Sequence, residues 1–409
     1  MILLRAYPKI TDFIYEVFGR SHAMDYRFLP VYSFGFFVAL AFVAAAWVGI
    51  IQLKRREKLG LLKGREKEII IGEAPATGEI IFYFLFGFVV FFKLIGFISY
   101  HEELSTYTLQ LGDYIKSIHY GSIPGGIIGG GLMALYYYYT SNKAKLPQPV
   151  KKKTMVYPSD GMGDLVVMGA VLGVLGSSLF NFLEDPTSYQ NFWSNPIGSL
   201  FSGLSIYGGL ICATIGFMVY AYIRKINILY FFDALAPGVI LANGIGRLGC
   251  QVAGDGDWGI INLHNKPAWI PEFLWSSHYE HNIADMDGSN ILPGCDLVHD
   301  HCNFLTYPVY PTPIYEFLMC GAIFLFLWAV SKRLTYKPGM VLILFMALIS
   351  IERFSIEKLR DLSGRELYHI FGMALRQSEL ISILIFIGAV AGGAYLYFVK
   401  YKQQPIPKG

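Results

Sequence analysis

Nine times along this chain of 409 residues a stretch of about 20 residues is mostly apolar: 30–53, 79–100, 121–140, 161–182, 203–223, 231–250, 313–331, 338–357 and 379–399. A helix of that length crosses roughly 30 Å of hydrocarbon, and in lipid a helix satisfies its own backbone hydrogen bonds. The repetition therefore predicts an all-α polytopic membrane protein with about nine transmembrane helices. Charged residues make up 15% of the chain, where a soluble domain carries about 25%. A net charge of +3 is too small a basic excess to suggest nucleic acid, and no such partner is expected. The third stretch is the weakest, because Gly125, Gly126, Gly129, Gly130 and Gly131 lower its helicity, although small residues also let membrane helices pack closely.

Charge between the stretches predicts their orientation, since cytoplasmic loops are enriched in Lys and Arg. Lys54, Arg55, Arg56, Lys58, Lys63, Arg65 and Lys67 follow the first; Lys143, Lys145 and Lys151 to Lys153 follow the third. Arg224 and Lys225 follow the fifth, Lys332, Arg333 and Lys337 the seventh, and Lys400, Lys402 and Lys408 the ninth. The connections 183–202 and 251–312 contain a single basic residue, Lys266. Alternation of this kind expects the N-terminus outside and the C-terminus in the cytoplasm.

Six parts follow: an N-terminal interfacial segment (1–29), the first span and a basic loop (30–77), a helical hairpin (78–140), spans ending near Arg247 (141–250), an outer segment (251–312), and the C-terminal spans with a cytoplasmic tail (313–409). Residues 1–30 lack a single apolar run and contain Asp12, Glu16 and Asp25, so no cleavable signal peptide is expected. Ile10, Phe13, Ile14, Val17 and Phe18 have helical spacing, which suits a short helix on the membrane surface. In the outer segment Cys295 and Cys302 are disulfide candidates, with free thiols as the alternative. His278, His281, His299 and His301 with Asp296 and Asp300 match no metal-ligand spacing, and no metal or cofactor is expected.

Ionisable groups inside spans are costly and mark functional sites by default. At 1.5 Å per residue, Arg247 lies about 24 Å along an outward-running helix from Phe231, and Arg353 about 21 Å along another from Gly339. Glu357 is one turn beyond Arg353 and Arg360 a turn further. Tyr207, Glu316, Tyr32 and Phe34 lie early in inward-running spans, at similar depth. Snorkelling arginines and an intrahelical Arg353–Glu357 pair offer a purely structural reading. Two guanidiniums at headgroup depth, however, have the geometry that grips a phosphate bidentately. The glycines of Gly244-Ile-Gly-Arg-Leu-Gly249 would let backbone approach a ligand or turn the helix end there.

The run Gly246-Arg-Leu-Gly249 followed by a Gly/Asp-rich turn ending at Trp258-Gly259 resembles the signature of the bacterial prolipoprotein diacylglyceryl transferase family. Four more blocks resemble that family in the same order: Pro30-Val-Tyr-Ser-Phe-Gly35, Tyr207-Gly-Gly-Leu-Ile211 (family His-Gly-Gly-Leu-Ile), Tyr310-Pro-Thr-Pro-Ile-Tyr-Glu316 (family His-Pro-Ser/Thr-Gln-Leu-Tyr-Glu) and Glu352-Arg-Phe-Ser-Ile-Glu357 (family Phe-Arg-x-x-x-Glu). Tyr207 stands where the family has histidine, Cys250 where it often has asparagine, and Asp255-Gly-Asp257 carries one extra residue before Trp258. Phe34 aligns better than Tyr32 with the tyrosine of the first block. Residues 78–140 have no counterpart in the usual seven-span pattern and read as an inserted helix pair; Tyr120-Gly-Ser-Ile-Pro-Gly-Gly126 echoes Tyr207-Gly-Gly209.

The resemblance implies transfer of the diacylglyceryl group of phosphatidylglycerol to the lipobox cysteine of a prolipoprotein, at the outer leaflet of the bacterial inner membrane, with release of glycerol phosphate. The partners implied are phosphatidylglycerol, prolipoprotein signal peptides and the bilayer. Arg247 and Arg353 would hold the phosphate and Glu357 would orient Arg353. Gly208, Gly209, Gly246 and Gly259 would admit close backbone approach, and Tyr315, Phe34 and Tyr32 would line the substrate site. A free thiol is only partly ionised at neutral pH, so a base would help; Tyr207, Asp255 and Glu316 are the candidates. A transporter and a relative that has lost the reaction are the competing readings.

Overall fold

The computed structural model describes residues 5–18, 31–71, 74–100, 120–143, 145–146, 150–185, 189, 192–193, 199–200, 203, 205–284, 289–295, 301–360, 368–370 and 373–401. Among the described residues nine long helices occupy the nine apolar stretches: α2 (Ser33–Lys58), α3 (Thr77–Ser99), α4 (Ile123–Lys143), α5 (Met162–Glu184), α6 (Ile206–Ile223), α7 (Ile228–Ala253), α8 (Thr312–Arg333), α9 (Met340–Glu357) and α10 (Gln377–Tyr395). Seven of these regions are long and apolar enough to cross a membrane. The other two are glycine- and tyrosine-rich α4 and α9, which carries Glu352, Arg353 and Glu357. The chain is a mostly helical, multi-pass membrane protein.

Helix α7 is the hub: it packs on α2, α8 and α9, and α10 leans on α9. Among the candidate spans it is the most buried inside the protein. Asn227 caps its start by accepting from the Leu229 and Tyr230 amides at 3.1 and 3.3 Å, which satisfies two otherwise orphan donors. Its end differs from the expectation. The helix runs straight through the glycines at 244–249 and stops at Gly254, whose φ of 66° is left-handed. A Cβ there would stand 2.6 Å from Ala6 Cβ, so the turn needs glycine both for its backbone and for contact with the N-terminal segment.

Helices α5 and α6 form a second unit, and their glycines explain how tightly. A Cβ at Gly208 would meet Phe180 Cβ at 2.3 Å and the Gly176 carbonyl at 2.4 Å, and one at Gly209 the Ser177 hydroxyl at 2.4 Å. The hairpin α3–α4 is packed the same way, with Gly130 against the Phe84 carbonyl and Gly129 against Phe91. It is joined to the rest through a two-stranded antiparallel ribbon, β1 (Arg65–Ile71) with β2 (Val150–Val156), running from Arg65↔Val156 to Ile71↔Val150. The ribbon brings the two ends of the hairpin together, so the surrounding bundle closes as though the hairpin were not there.

The end of the bundle that carries the basic loops is fastened by buried polar groups. Arg56, 1% exposed, donates to the Gln52 side-chain oxygen at 3.0 Å and the Asp233 carbonyl at 3.2 Å. The Asp233 carboxylate accepts from the Gly339 and Leu342 amides, both at 2.7 Å, capping α9. At the opposite end α1 (Ile10–Phe18) forms where its spacing predicts, but its apolar face is spent partly on the protein. Ile10, Phe13 and Tyr7 pack on Phe37 of α2 and Val252 of α7, and the Ser33 hydroxyl bonds the Tyr7 carbonyl at 2.5 Å. The described parts of 255–311 lie at this end, held by the fully buried Tyr279, which donates to Gln251 at 2.5 Å and leans on Trp258. Strands β3 (Ser289–Ile291) and β4 (Asn303–Leu305) pair within it, Cys295 and Cys302 form a disulfide, and β5 (Tyr368–Ile370) pairs with β6 (Met373–Leu375) before α10. His278 and His281 are hydrogen-bonded to the Leu305 and His301 carbonyls; Asp296, His299 and Asp300 lie outside the described residues.

Candidate active site

Six charged side chains from α7, α8, α9 and the loops that follow α7 and α9 alternate in sign along one continuous chain. Glu357 Oε2 is 3.3 Å from Arg353 Nη2, and Arg353 Nη1 is 3.9 Å from Glu316 Oε1. Glu316 Oε2 is ion-paired with Arg247 Nε, Arg247 Nη1 with Asp257, and Asp257 in turn with Arg360. The helices make this inevitable once packed. Arg353 and Glu357 are one turn apart on α9, and Glu316 faces them from α8 while Arg247 reaches across from α7. The Glu316 and Glu357 side chains are each 1% exposed, a burial that charges tolerate only when paired. Arg353 Nη1 has no hydrogen-bond acceptor among the described residues although it is buried, and a buried donor without a partner is exceptional in folded proteins. It leaves donor capacity for a ligand oxygen.

Two members of this chain of charges, Arg247 and Asp257, line one end of an apolar cavity of about 650 Å³. The walls are Phe34, Val38, Ala41 and Phe42 of α2, Leu165 and Gly169 of α5, Phe217 of α6, and Val239 and Ala242 of α7. Its polar end is made by Asn243, Arg247, Cys250, Asp255 and Asp257. An apolar slot capped by a guanidinium suits an amphiphile with an anionic head. Asp255 is hydrogen-bonded by the Cys250 thiol, and burial pushes its carboxyl above the ordinary range, against the opposing effects of that hydrogen bond and of Arg247. Cys250, Asp255 and Asp257 bring possible ligand atoms within 4.8 Å of one another, but the two arginines already on Asp257 oppose a cation there.

Of the residues singled out in the sequence, Arg247, Arg353, Glu316 and Glu357 are brought into direct contact, and Arg247, Asp255, Phe34 and Gly246 line the cavity. Gly246 is open, with nothing within 4 Å of where a Cβ would stand. Gly208 and Gly209 are not; the close approach they permit is to α5, so no ligand fits there. Gly259 serves a packed turn, its amide donating to the Tyr310 carbonyl at 2.8 Å beside Thr312 and the Leu359 carbonyl. Tyr207 is half-buried in the first turn of α6, and its neighbour Ile206 is the one that lines the cavity. Tyr315 donates to the Leu274 carbonyl at 2.7 Å, tying α8 to the loop segment, and Tyr32 is exposed at the start of α2. The roles of Asp257, Arg360 and Asn243 were not read from the sequence. Arg360 lies one turn beyond Glu357, a spacing that points to it; nothing local points to Asp257 over Asp255.

A profile described as prolipoprotein diacylglyceryl transferase matches residues 146–395. The chain belongs to that family. A phosphatidylglycerol–prolipoprotein diacylglyceryl transferase of Streptomyces coelicolor is 29% identical over 234 residues, 56% of this chain and 64% of that protein. One from Corynebacterium efficiens is 30% identical over 248 residues, 59% and 69% of the two chains, and one from Streptococcus equi subsp. zooepidemicus 25% identical over 285 residues, 68% and 90%. The family match begins at residue 146, beyond the α3–α4 hairpin, and takes in α5 to α10.

Proposed function

We propose that this chain transfers the diacylglyceryl group of phosphatidylglycerol to the lipobox cysteine of prolipoproteins, in the inner membrane of a bacterium, with the site facing the outer leaflet. The observation that carries the reading is the apolar cavity capped by Arg247 within an alternating chain of buried charges. The alternation of basic loops supports the orientation, with nine spans, the N-terminus outside and the C-terminus in the cytoplasm.

One acyl chain of the donor enters the cavity and its phosphate meets Arg247 and the open donor of Arg353. The acceptor sulfur attacks the glycerol carbon that bears the phosphate ester. A C–S bond forms, the C–O bond breaks, and its electron pair leaves on the phosphate as glycerol phosphate. The arginines stabilise that developing charge, an effect typically worth ~10²–10³ in rate per donor. Of the three candidate bases, Asp255 is the best placed: it lines the cavity and already accepts from a thiol, that of Cys250, so it takes the acceptor's proton. Glu316 is occupied by two arginines, and Glu357 orients Arg353 from the other side. In the test, purified protein is given phosphatidylglycerol and synthetic lipobox peptides ending in cysteine or in serine. A diacylglyceryl mass gain on the cysteine peptide alone is the expected result; no gain with folded protein would refute the reading.

A further inference from the structure

The cavity has a measurable depth. Below the polar end that Arg247 shares with Cys250, its lining on α7 runs from Arg247 to Leu235, and on α2 from Phe34 to Ala46. Twelve residues on each helix, at 1.5 Å of rise, give about 18 Å for both walls. A single leaflet contributes about half of the ~30 Å hydrocarbon core, so the slot is as deep as one extended acyl chain is long. At its far end stand Met162 and Leu235, 5% and 9% exposed, which belong to a buried cluster with Leu53, Leu165 and Phe231. Met162 rests against Gly49 of α2, where a Cβ would stand 2.7 Å from its terminal methyl. Halfway up, Gly169 leaves the gap between Phe42 and Phe217 open, a Cβ at 169 standing 3.1 Å from Phe217 Cζ.

We infer that this slot is an acyl-chain ruler: it takes one chain of the donor lipid along its full depth, and Met162 sets the longest chain accepted. The inference rests on the proposed function for the identity of the donor. Discrimination comes from steric exclusion, because lipid tails in the bilayer are as apolar as the slot walls and a methylene gains little by moving between them. Chains up to the depth of the slot are therefore tolerated, and longer chains, which would run into the floor, are rejected, with overpacking of a close-packed interior reducing binding about tenfold or more.

The test uses phosphatidylglycerols that differ only in saturated chain length, presented to the wild-type chain, Met162→Ala and Gly169→Leu in one detergent. Two readouts are taken, transfer to a lipobox peptide and lipid retained in native mass spectrometry. The wild-type chain should show a sharp upper limit in both. Met162→Ala should move that limit up by about two to three carbons, the length of side chain removed. Gly169→Leu should move it down, by obstructing the slot between Phe42 and Phe217. Identical length profiles in all three proteins, each with a native thermal midpoint, overturn the ruler. Should either variant fail to fold, a wild-type profile without an upper limit overturns it alone. Length-selective retention without transfer by the wild-type chain would support the slot and overturn the proposed reaction, so the two failures are distinguishable.

Discussion

Replacing Arg247 by methionine removes the guanidinium that bridges Glu316 and Asp257, and the structure separates what this does to stability from what it does to activity. Breaking a buried pair by deleting one partner costs about 3–5 kcal/mol, because the other charge stays buried without compensation. Here the cost falls at the low end, about 3 kcal/mol, since Glu316 keeps Arg353 at 3.9 Å and Asp257 keeps Arg360. Changing Glu316 to methionine as well removes the stranded carboxylate, and the remaining charges are already partnered, Arg353 by Glu357 at 3.3 Å. The double variant should return to within about 1 kcal/mol of the wild-type chain, a recovery of roughly 2 kcal/mol from the Arg247→Met single variant. Transfer should not return, because the phosphate has lost a donor worth ~10²–10³ in rate. Denaturant unfolding in detergent gives the first quantity and initial rates of peptide lipidation the second. A double variant as unstable as Arg247→Met, or one that regains transfer, would refute the reasoning.

Gly246→Ala and Gly208→Ala should behave oppositely. The first has open space at its Cβ and, in a helix, should leave stability unchanged or raise it by up to ~1 kcal/mol while slowing transfer, whereas the second forces α5 from α6 and should cost about 1–3 kcal/mol; thermal midpoints and rates measured side by side check both. For Asp255 a raised native pKa means that the native state holds the proton more tightly, so the contribution to stability is full below the unfolded carboxylate pKa and is lost as pH rises through the raised value. Asp255→Asn should flatten that fall in a pH series of thermal midpoints. It should also abolish the rise in transfer rate as the wild-type carboxyl ionises. Excising 72–149 and joining Ile71 to Val150 through an Asn-Gly turn, which suits the antiparallel ribbon, should leave lipidation of the peptide within a few-fold of the full chain, as a rate comparison would show.

Much of the helical frame is legible because hydropathy is a local property: all nine helices lie within a few residues of the apolar stretches, and Arg247, Glu316, Arg353 and Glu357 stand together as helical rise predicts. What is not legible depends on packing between distant segments. The basic run Lys151 to Lys153 reads as a loop, yet it forms β2 because Arg65–Ile71 lies beside it. Glycines at 208 and 209 look like the one at 246, and only the positions of Phe180 and Ser177 show that they serve helix contact while Gly246 is open. Helix α7 continues past Gly249 because its close contact with Phe37 and its neighbours compensates for low helical propensity there. The cavity was invisible in advance, since its walls are ordinary apolar residues drawn from four helices, and their facing a void is a property of the assembly alone.

In the proposed reaction the bond broken is the one between glycerol carbon and phosphate oxygen, with the phosphate leaving on the arginine side of the cavity. It is tested most directly by counting, in one reaction of the purified chain, thioether formed on the peptide against glycerol phosphate released. One of each per turnover is expected, both lost together in the Arg247→Met and Glu316→Met double variant that has regained its stability. Release of glycerol phosphate without thioether, or thioether formation that persists without Arg247, would contradict it.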